Sequence, residues 1–311
     1  MAEVNVINTK SQILDILSEL NVDDVQTIER WICSGTYKED LQKLKTLQDL
    51  EKPLKKIGTT LKPMVPFKAE MPTETIKPPE VGDQADCNEV NTLHIDEFLY
   101  DEKDIEKLIK KGKIKKNYCK DCGSRNSEEL TFTSHSMSRK ALQYIFKVLL
   151  PIDLKGKQIL DVGSRLGAVL YGAYYCSNAS KIIGVEINKE FCDIQEKIIK
   201  QFSMDKKRIL VEHADVTNVE NLIKNTDILV VNVLDFFVDI QKHIEIWRFL
   251  RQHLKKGAHL VANRSMVETF NCLDIFEEFI NWLAICKPYQ IDNEMLFDVE
   301  EYSEIYLYTI K

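Results

Sequence analysis

The stretch that most restricts what this chain can fold into is residues 157–172, Lys-Gln-Ile-Leu-Asp-Val-Gly-Ser-Arg-Leu-Gly-Ala-Val-Leu-Tyr-Gly. A short apolar run breaks into a glycine-bearing turn and then resumes with helix-forming residues, which reads as strand, tight loop, helix. A parallel strand inside a sheet is covered on both faces, so Ile159, Leu160 and Val162 need not alternate with polar residues. Asp161 then falls at the carboxyl end of the strand, where open α/β sheets bind their ligands.

Downstream the same alternation recurs. Strands are expected at residues 181–186, 208–215, 227–232, 259–262 and 304–310, and helices at 168–175, 189–202, 219–223, 240–254 and 272–285. Strands alternating with helices make a doubly wound α/β sheet. At 311 residues with 44% hydrophobic content, the chain has room for one such domain, residues 151–311, and for smaller units before it.

Three segments precede that domain. Residues 1–52 carry Ile13, Leu14, Ile16, Leu17 and Leu20, then Val25, Ile28, Trp31 and Ile32, then Leu41, Leu44, Leu47 and Leu50, all at helical spacing, with Ser11 as a cap and Gly35 as punctuation. This predicts a helical unit, either a bundle packed on itself or on the main domain, or a module that docks a partner. Residues 53–90 hold Pro53, Pro63, Pro66, Pro72, Pro78 and Pro79, six of the chain's eight prolines, and lose apolar periodicity, as an extended or disordered linker would. Residues 91–150 contain Cys119-x-x-Cys122-Gly and a lead-in helix with Met137, Leu142, Ile145, Phe146 and Leu149 on one face.

Cys119 and Cys122 form half of a zinc knuckle, since a tight turn lets two thiolates converge on one tetrahedral ion. The other two ligands would come from Cys87, His94 or His135; the alternative is a pair of reduced thiols in a turn. Residues 103–120 concentrate lysines with no aromatics at the spacing a base-stacking surface would need, the pattern of a solvated helix face. Eight cysteines scattered through apolar segments suit a reducing compartment. The N-terminal residues lack the basic and apolar regions of a signal peptide, and no run of about 18 apolar residues occurs, so the expected location is the cytosol or nucleus, away from membranes. A formal charge of −7 disfavours nucleic acid as the partner and suits a cationic one.

The segment from residue 151 onward resembles the class I, seven-strand S-adenosylmethionine-dependent methyltransferases. Asp161-Val-Gly163-Ser164-Arg165-Leu-Gly167 is similar to that family's acidic-x-Gly-x-Gly-x-Gly loop, and Glu186 ends the next strand 23 positions after Gly163. The resemblance implies a Rossmann-like sheet of seven strands and S-adenosylmethionine as cofactor. Gly163, Ser164, Arg165 and Gly167 would lie around its amino-acid part, Asp161 near its amino group, Glu186 on the ribose hydroxyls and Asp215 on the adenine. Arg165 departs from the pattern, standing where the family has its middle glycine. A left-handed backbone there would cost arginine about 1–2 kcal/mol, and its guanidinium would obstruct a dinucleotide while suiting the cofactor's carboxylate.

The segment after the fourth strand, Asn232-Val-Leu-Asp235-Phe-Phe237, supplies the catalytic candidates Asn232 and Asp235 and lacks the Asn/Asp-Pro-Pro-aromatic signature of base N-methylases. Together with Gly184-Val-Glu-Ile187 it is distantly similar to the nucleosomal lysine methyltransferases that lack the SET fold. A methyltransferase acting on a protein or other macromolecule is therefore expected. The competing reading is a catalytically degenerate cofactor-binding domain serving as scaffold or partner subunit.

Overall fold

The computed structural model describes residues 6–82, 85–119, 127–232 and 234–311. The chain divides into two compact units, residues 1–49 and residues 50–311.

The first unit consists of α1 (Val6–Ser18), α2 (Val22–Ser34) and the start of α3 (Tyr37–Leu61). Asn21 caps α2 by accepting from the Asp24 N–H, and Gly35 closes it in the left-handed region at φ 81°. Ser11 lies inside α1 instead of capping it. Neither α1 nor α2 buries a residue, so their apolar stripe, with Leu14 66% exposed, is left uncovered.

Pro53 does not begin a linker. It sits within α3, which continues for two more turns and buries Leu54, Ile57 and Leu61 completely in the main core. Interior proline costs a helix about 3 kcal/mol, and burying each of these three side chains contributes about 1.5–3 kcal/mol, so packing outweighs the lost hydrogen bond. Residues 65–81 are indeed without regular apolar spacing, yet they are pinned by specific bonds. The Lys77 N–H donates to the Phe236 carbonyl at 3.0 Å, and the Thr73 hydroxyl donates to Glu190 at 2.9 Å.

Next come β1 (Thr92–His94), α4 (Glu102–Lys110), β2 (Asn117–Cys119), β3 (Ser127–Glu129), β4 (Thr131–Thr133) and α5 (Arg139–Tyr144), which runs into a wider turn at Ile145–Leu149. β1 pairs in parallel with β4, setting His94 opposite Thr133. Cys119 ends β2 on the surface, while Cys122 lies outside the described residues.

The main sheet is built from β5 (Gln158–Val162), β6 (Lys181–Glu186), β7 (Ile209–His213), β8 (Ile228–Val231), β9 (His259–Ala262), β10 (Leu283–Ile285) and β11 (Tyr306–Ile310), in the order β10-β11-β9-β8-β5-β6-β7. All pairs are parallel except those made by β11. The helices α6 (Ala168–Cys176), α7 (Lys189–Gln201), α8 (Glu220–Asn225) and α9 (Ile240–His253) connect these strands. Ile159 faces one core with α5, α6 and α7, whereas Leu160 and Val162 face the other with α9, so a strand without alternation serves two layers.

One expected helix is divided. Residues 272–285 hold the end of α10 (Met266–Cys272), the single turn α11 (Phe276–Phe279) and the edge strand β10. Asp274 at φ 55° breaks the helical path, and Leu283–Ile285 gains an antiparallel partner in β11. That strand completes the seven.

Because α3 carries core residues past Pro53, Ile57→Ala is expected to lower unfolding free energy by about 2–5 kcal/mol in urea titration. A residue in an unpacked linker would leave the midpoint unchanged.

Candidate functional site

The chain order reverses between β5 and β8, and the loops leaving their carboxyl ends diverge there, which is where open α/β sheets form a crevice. A cavity of about 620 Å³ opens at this point, lined by Gly163, Arg165, Glu186, Asp215, Asn232 and Phe237 among others. Its size suits a cofactor-sized ligand.

The glycine loop alternates into the left-handed region at Gly163 (φ 72°), Arg165 (φ 38°) and Gly167 (φ 82°). Glycine adopts this backbone freely, and at Gly167 a Cβ would also come within 2.7 Å of the Tyr171 hydroxyl. Arg165 instead bears the left-handed cost, about 1–2 kcal/mol, and its surroundings offset it. Its N–H donates to the Glu186 carboxylate at 2.8 Å and its carbonyl accepts from the Gln195 amide at 2.7 Å. The guanidinium is neither solvated nor open toward the cavity with both faces. It lies 5.0 Å from the Phe191 and Phe237 ring centres, donates to Glu74 from Nε at 3.0 Å and from the NH2 nitrogen at 3.1 Å, and reaches the Ala69 carbonyl at 2.9 Å. The NH1 nitrogen is left buried without a partner.

The other expected residues divide into two sets. Glu186 lines the cavity and uses both oxygens, accepting from the Arg165 and Asn188 N–H groups; burial still raises its pKa. Asp215 also lines it. Burial works against its ionised form, but Lys242 at 2.9 Å and the N–H and hydroxyl of Thr217 hold it below the usual carboxylate range. Asp161, Ser164 and Gly167 are not part of the cavity wall. Asp161 is 2% exposed, and burial together with the Glu186 charge pushes its pKa well up. Ser164 bonds Gln195 on α7, so it ties the loop to the helix behind it.

A second cavity, of about 770 Å³, lies beside the first and is lined by Glu97, Thr133, His135, Asn232, Glu301 and Tyr302 among others. His135 and Asn232 line both. The Asn232 amide donates to the His135 carbonyl at 3.0 Å, while its own Oδ1 is buried with no partner. Leaving such an oxygen unpaired costs about 1–3 kcal/mol. The second catalytic candidate, Asp235, is elsewhere: it pairs with Arg264 and lies 3.4 Å from His243 Nδ1, in a neighbouring cavity of about 320 Å³.

His94 and His135 do converge, but on each other. Nδ1 of His94 is 2.8 Å from Nε2 of His135 and the rings stack, with Phe236 and Phe237 against His135. A hydrogen bond between the two rings occupies a lone pair that coordination would need. Among the described residues, which do not include Cys122, there is no group of three or more histidines, cysteines and acids able to hold a metal, so the zinc site expected from Cys119, His94 and His135 finds no support there. Burial pushes the His135 pKa down to about 2.

Sequence reading missed Glu74, which carries no motif and stands 91 residues from its partner, and it weighed His135 only as a metal ligand. Lys242, which neutralises Asp215, was visible only as one helix lysine among many.

A seven-strand sheet with this order and a glycine loop at its switch point defines a class I S-adenosylmethionine-dependent methyltransferase. The family model described as histone methylation protein DOT1 matches residues 128–287, and the chain belongs to that family. No curated protein matches the sequence. Solved structures similar to it include an RNA methyltransferase from Salinibacter ruber in complex with S-adenosyl-L-homocysteine, at 15% identity over 40% of this chain and 72% of that one with a TM-score of 0.32. Another is the O-methyltransferase from Bacillus cereus in complex with SAH, at 14% identity over 58% and 84% with a TM-score of 0.37. The family match, not these loose likenesses, carries the assignment. Among the described residues no helix is long and apolar enough to cross a membrane.

Arg165→Gly relieves the backbone cost but strands Glu74, whose side chain is 7% exposed. Removing one partner of a buried pair costs about 3–5 kcal/mol and the relieved turn returns about 1–2 kcal/mol, so chemical denaturation should register a net loss of about 1–4 kcal/mol. A more stable Arg165→Gly protein would contradict this accounting.

Proposed function

We propose that the chain methylates a lysine of a histone, with S-adenosylmethionine in the 620 Å³ cavity and the acceptor side chain entering through the 770 Å³ cavity. The observation that carries this reading is the wall common to both, formed by His135 and Asn232. A transfer between two molecules needs their reacting atoms in one small volume, and holding them in line is the main contribution such an enzyme makes. The DOT1 family description supports a histone as substrate, and with it the nucleus as the place of work.

The cofactor wall suits a cationic ligand. Glu186 and Asp215 would take the ribose hydroxyls and the adenine, and Gly163 lets the backbone approach the amino-acid part. Asp161 lies buried behind the wall, where burial and the Glu186 charge disfavour its ionised form, and a cationic ligand beside Glu186 would offset that concentration of acid. The bound cofactor supplies an electrophilic methyl group. The chain's own residues bind, orient and exclude water, and the buried Asn232 Oδ1 is free to accept an N–H of the acceptor.

The acceptor cavity also suits a cation. Burial and the charges of Asp96, Glu301 and Glu102 raise the Glu97 pKa to about 7. A negative charge therefore develops on Glu97 as pH rises through neutrality, drawing an ammonium side chain inward.

Calorimetry tests the cofactor half: S-adenosylhomocysteine should bind, and Glu186→Ala should weaken it by more than about 1 kcal/mol, the scale of a lost hydrogen-bond pair. Binding unaltered by that change would remove Glu186 from the ribose. Tritium transfer from S-adenosylmethionine to reconstituted nucleosomes tests the acceptor half, with label expected in histone protein and none in the DNA. Across pH 6–8, roughly one unit either side of the Glu97 midpoint, the acceptor KM should fall, and Glu97→Gln should flatten that dependence. An equal slope in both proteins would exclude Glu97 as its origin.

A further inference from the structure

The wall between the two cavities contains polar atoms with no hydrogen-bond partner. Thr133, 5% exposed, lines the acceptor cavity with its hydroxyl unpaired, and Asn232 lines both cavities with Oδ1 unpaired. His135, 8% exposed, also lines both. Its Nε2 is bonded to His94, and among the described residues its Nδ1 has no partner.

The ring is fixed from every side. β1 and β4 put His94 opposite Thr133 in register, which sets His94 two residues from His135 along the neighbouring strand's continuation. His94 stacks on the ring at 4.9 Å between centroids, while Phe236 and Phe237 meet it edge-on at 5.1 and 5.0 Å. Buried polar atoms are almost always paired, so the two unpaired oxygens here, Thr133 Oγ1 and Asn232 Oδ1, mark a place where a ligand supplies the partner, and His135 lines both cavities beside them with Nδ1 uncommitted.

We propose that His135, locked in orientation by His94, is the residue that orients the methyl acceptor, its Nδ1 accepting one N–H of the incoming amine while Asn232 Oδ1 accepts the other. This rests on the amine-acceptor reading above and goes beyond it by assigning the group that aims the nucleophile. With both N–H bonds directed at the wall, the nitrogen lone pair points into the cofactor cavity. The entering ammonium first loses one proton to water, leaving two N–H bonds and a lone pair; the lone pair forms the new N–C bond and the C–S bond breaks with its electrons passing to sulfur, which becomes a neutral thioether. The methylated nitrogen, now cationic, releases its proton to water. For Nδ1 to accept, the ring proton must sit on Nε2 and be donated to His94 Nδ1, which is the contact observed at 2.8 Å.

The geometry separates this role from simple packing. His135→Phe keeps a ring for His94, Phe236 and Phe237 to pack against and removes only the nitrogens. His135→Asn loses the ring but places an amide oxygen near the position of Nδ1. With reconstituted nucleosomes as acceptor, His135→Phe should lower kcat at least tenfold while the acceptor KM, the affinity for S-adenosylhomocysteine and the melting temperature stay within twofold or within a degree or two. His135→Asn should recover a substantial part of kcat despite its poorer packing. If His135→Phe keeps wild-type kcat, or if activity across the variants follows melting temperature instead of the nitrogen or oxygen acceptor, the proposal fails while the substrate reading stands. Wild-type protein that labels no histone overturns the substrate reading and the orienting role with it.

Discussion

The buried pair between Arg165 and Glu74 is the contact on which the site depends. A glycine at position 165 would turn the loop without help, but it would leave Glu74 and the Ala69 carbonyl without their charged partner. Arginine accepts a strained backbone and in exchange extends a charged, planar group between two phenyl rings to a carboxylate from a distant segment. The segment that becomes one wall of the cofactor cavity is ordered by this polar anchor, since it has no apolar stripe of its own. Thr73 and Lys77 then attach the same segment to α7 and to the loop after β8.

The cavity walls show how placement, more than residue type, decides what a side chain does. Asp161 and Glu186 share a face of the sheet, since Asp161 is registered with Gly184, two residues before Glu186; Asp161 stands one residue inside the end of its strand and is buried, and only Glu186, at the very end of its own, reaches the cavity. Asp235 follows Asn232 by three residues, yet it pairs with Arg264 and lies beside His243 instead of lining the shared wall.

The doubly wound sheet was legible because its signal is local: buried runs such as residues 228–231, glycines at the turns, and acids at the strand ends. The edge strand β10 was not, since Leu283–Ile285 is too short to show a period and exists only because β11 pairs with it. Proline density misread residues 53–61, where three buried side chains override one broken hydrogen bond. Glu74 could not be found by spacing, because what selects it is the strained arginine it meets across the fold. His135 stands out in the sequence as a ligating nitrogen, but its contact with His94, which engages one of its two nitrogens, becomes visible only through the parallel strand pair.

That strand pair, three residues on each side, has a consequence for how such a chain can vary over time. Of the 36 residues that separate the strands, Ile95, Phe98 and Leu99 are buried and fixed, whereas β2 and β3 are largely exposed; closure cost rises by only about 0.6 kcal/mol for each doubling of loop length, so a change of length is cheapest between β2 and β3. The two steps from Thr133 to His135 have no such freedom, because one added residue would swing the imidazole to the opposite side of the chain. Length is thus a nearly neutral character between the surface strands and a constrained one a few residues later. The tolerance of the first region allows new surface elements to be tried beside a pair of imidazoles whose geometry is fixed by strand register.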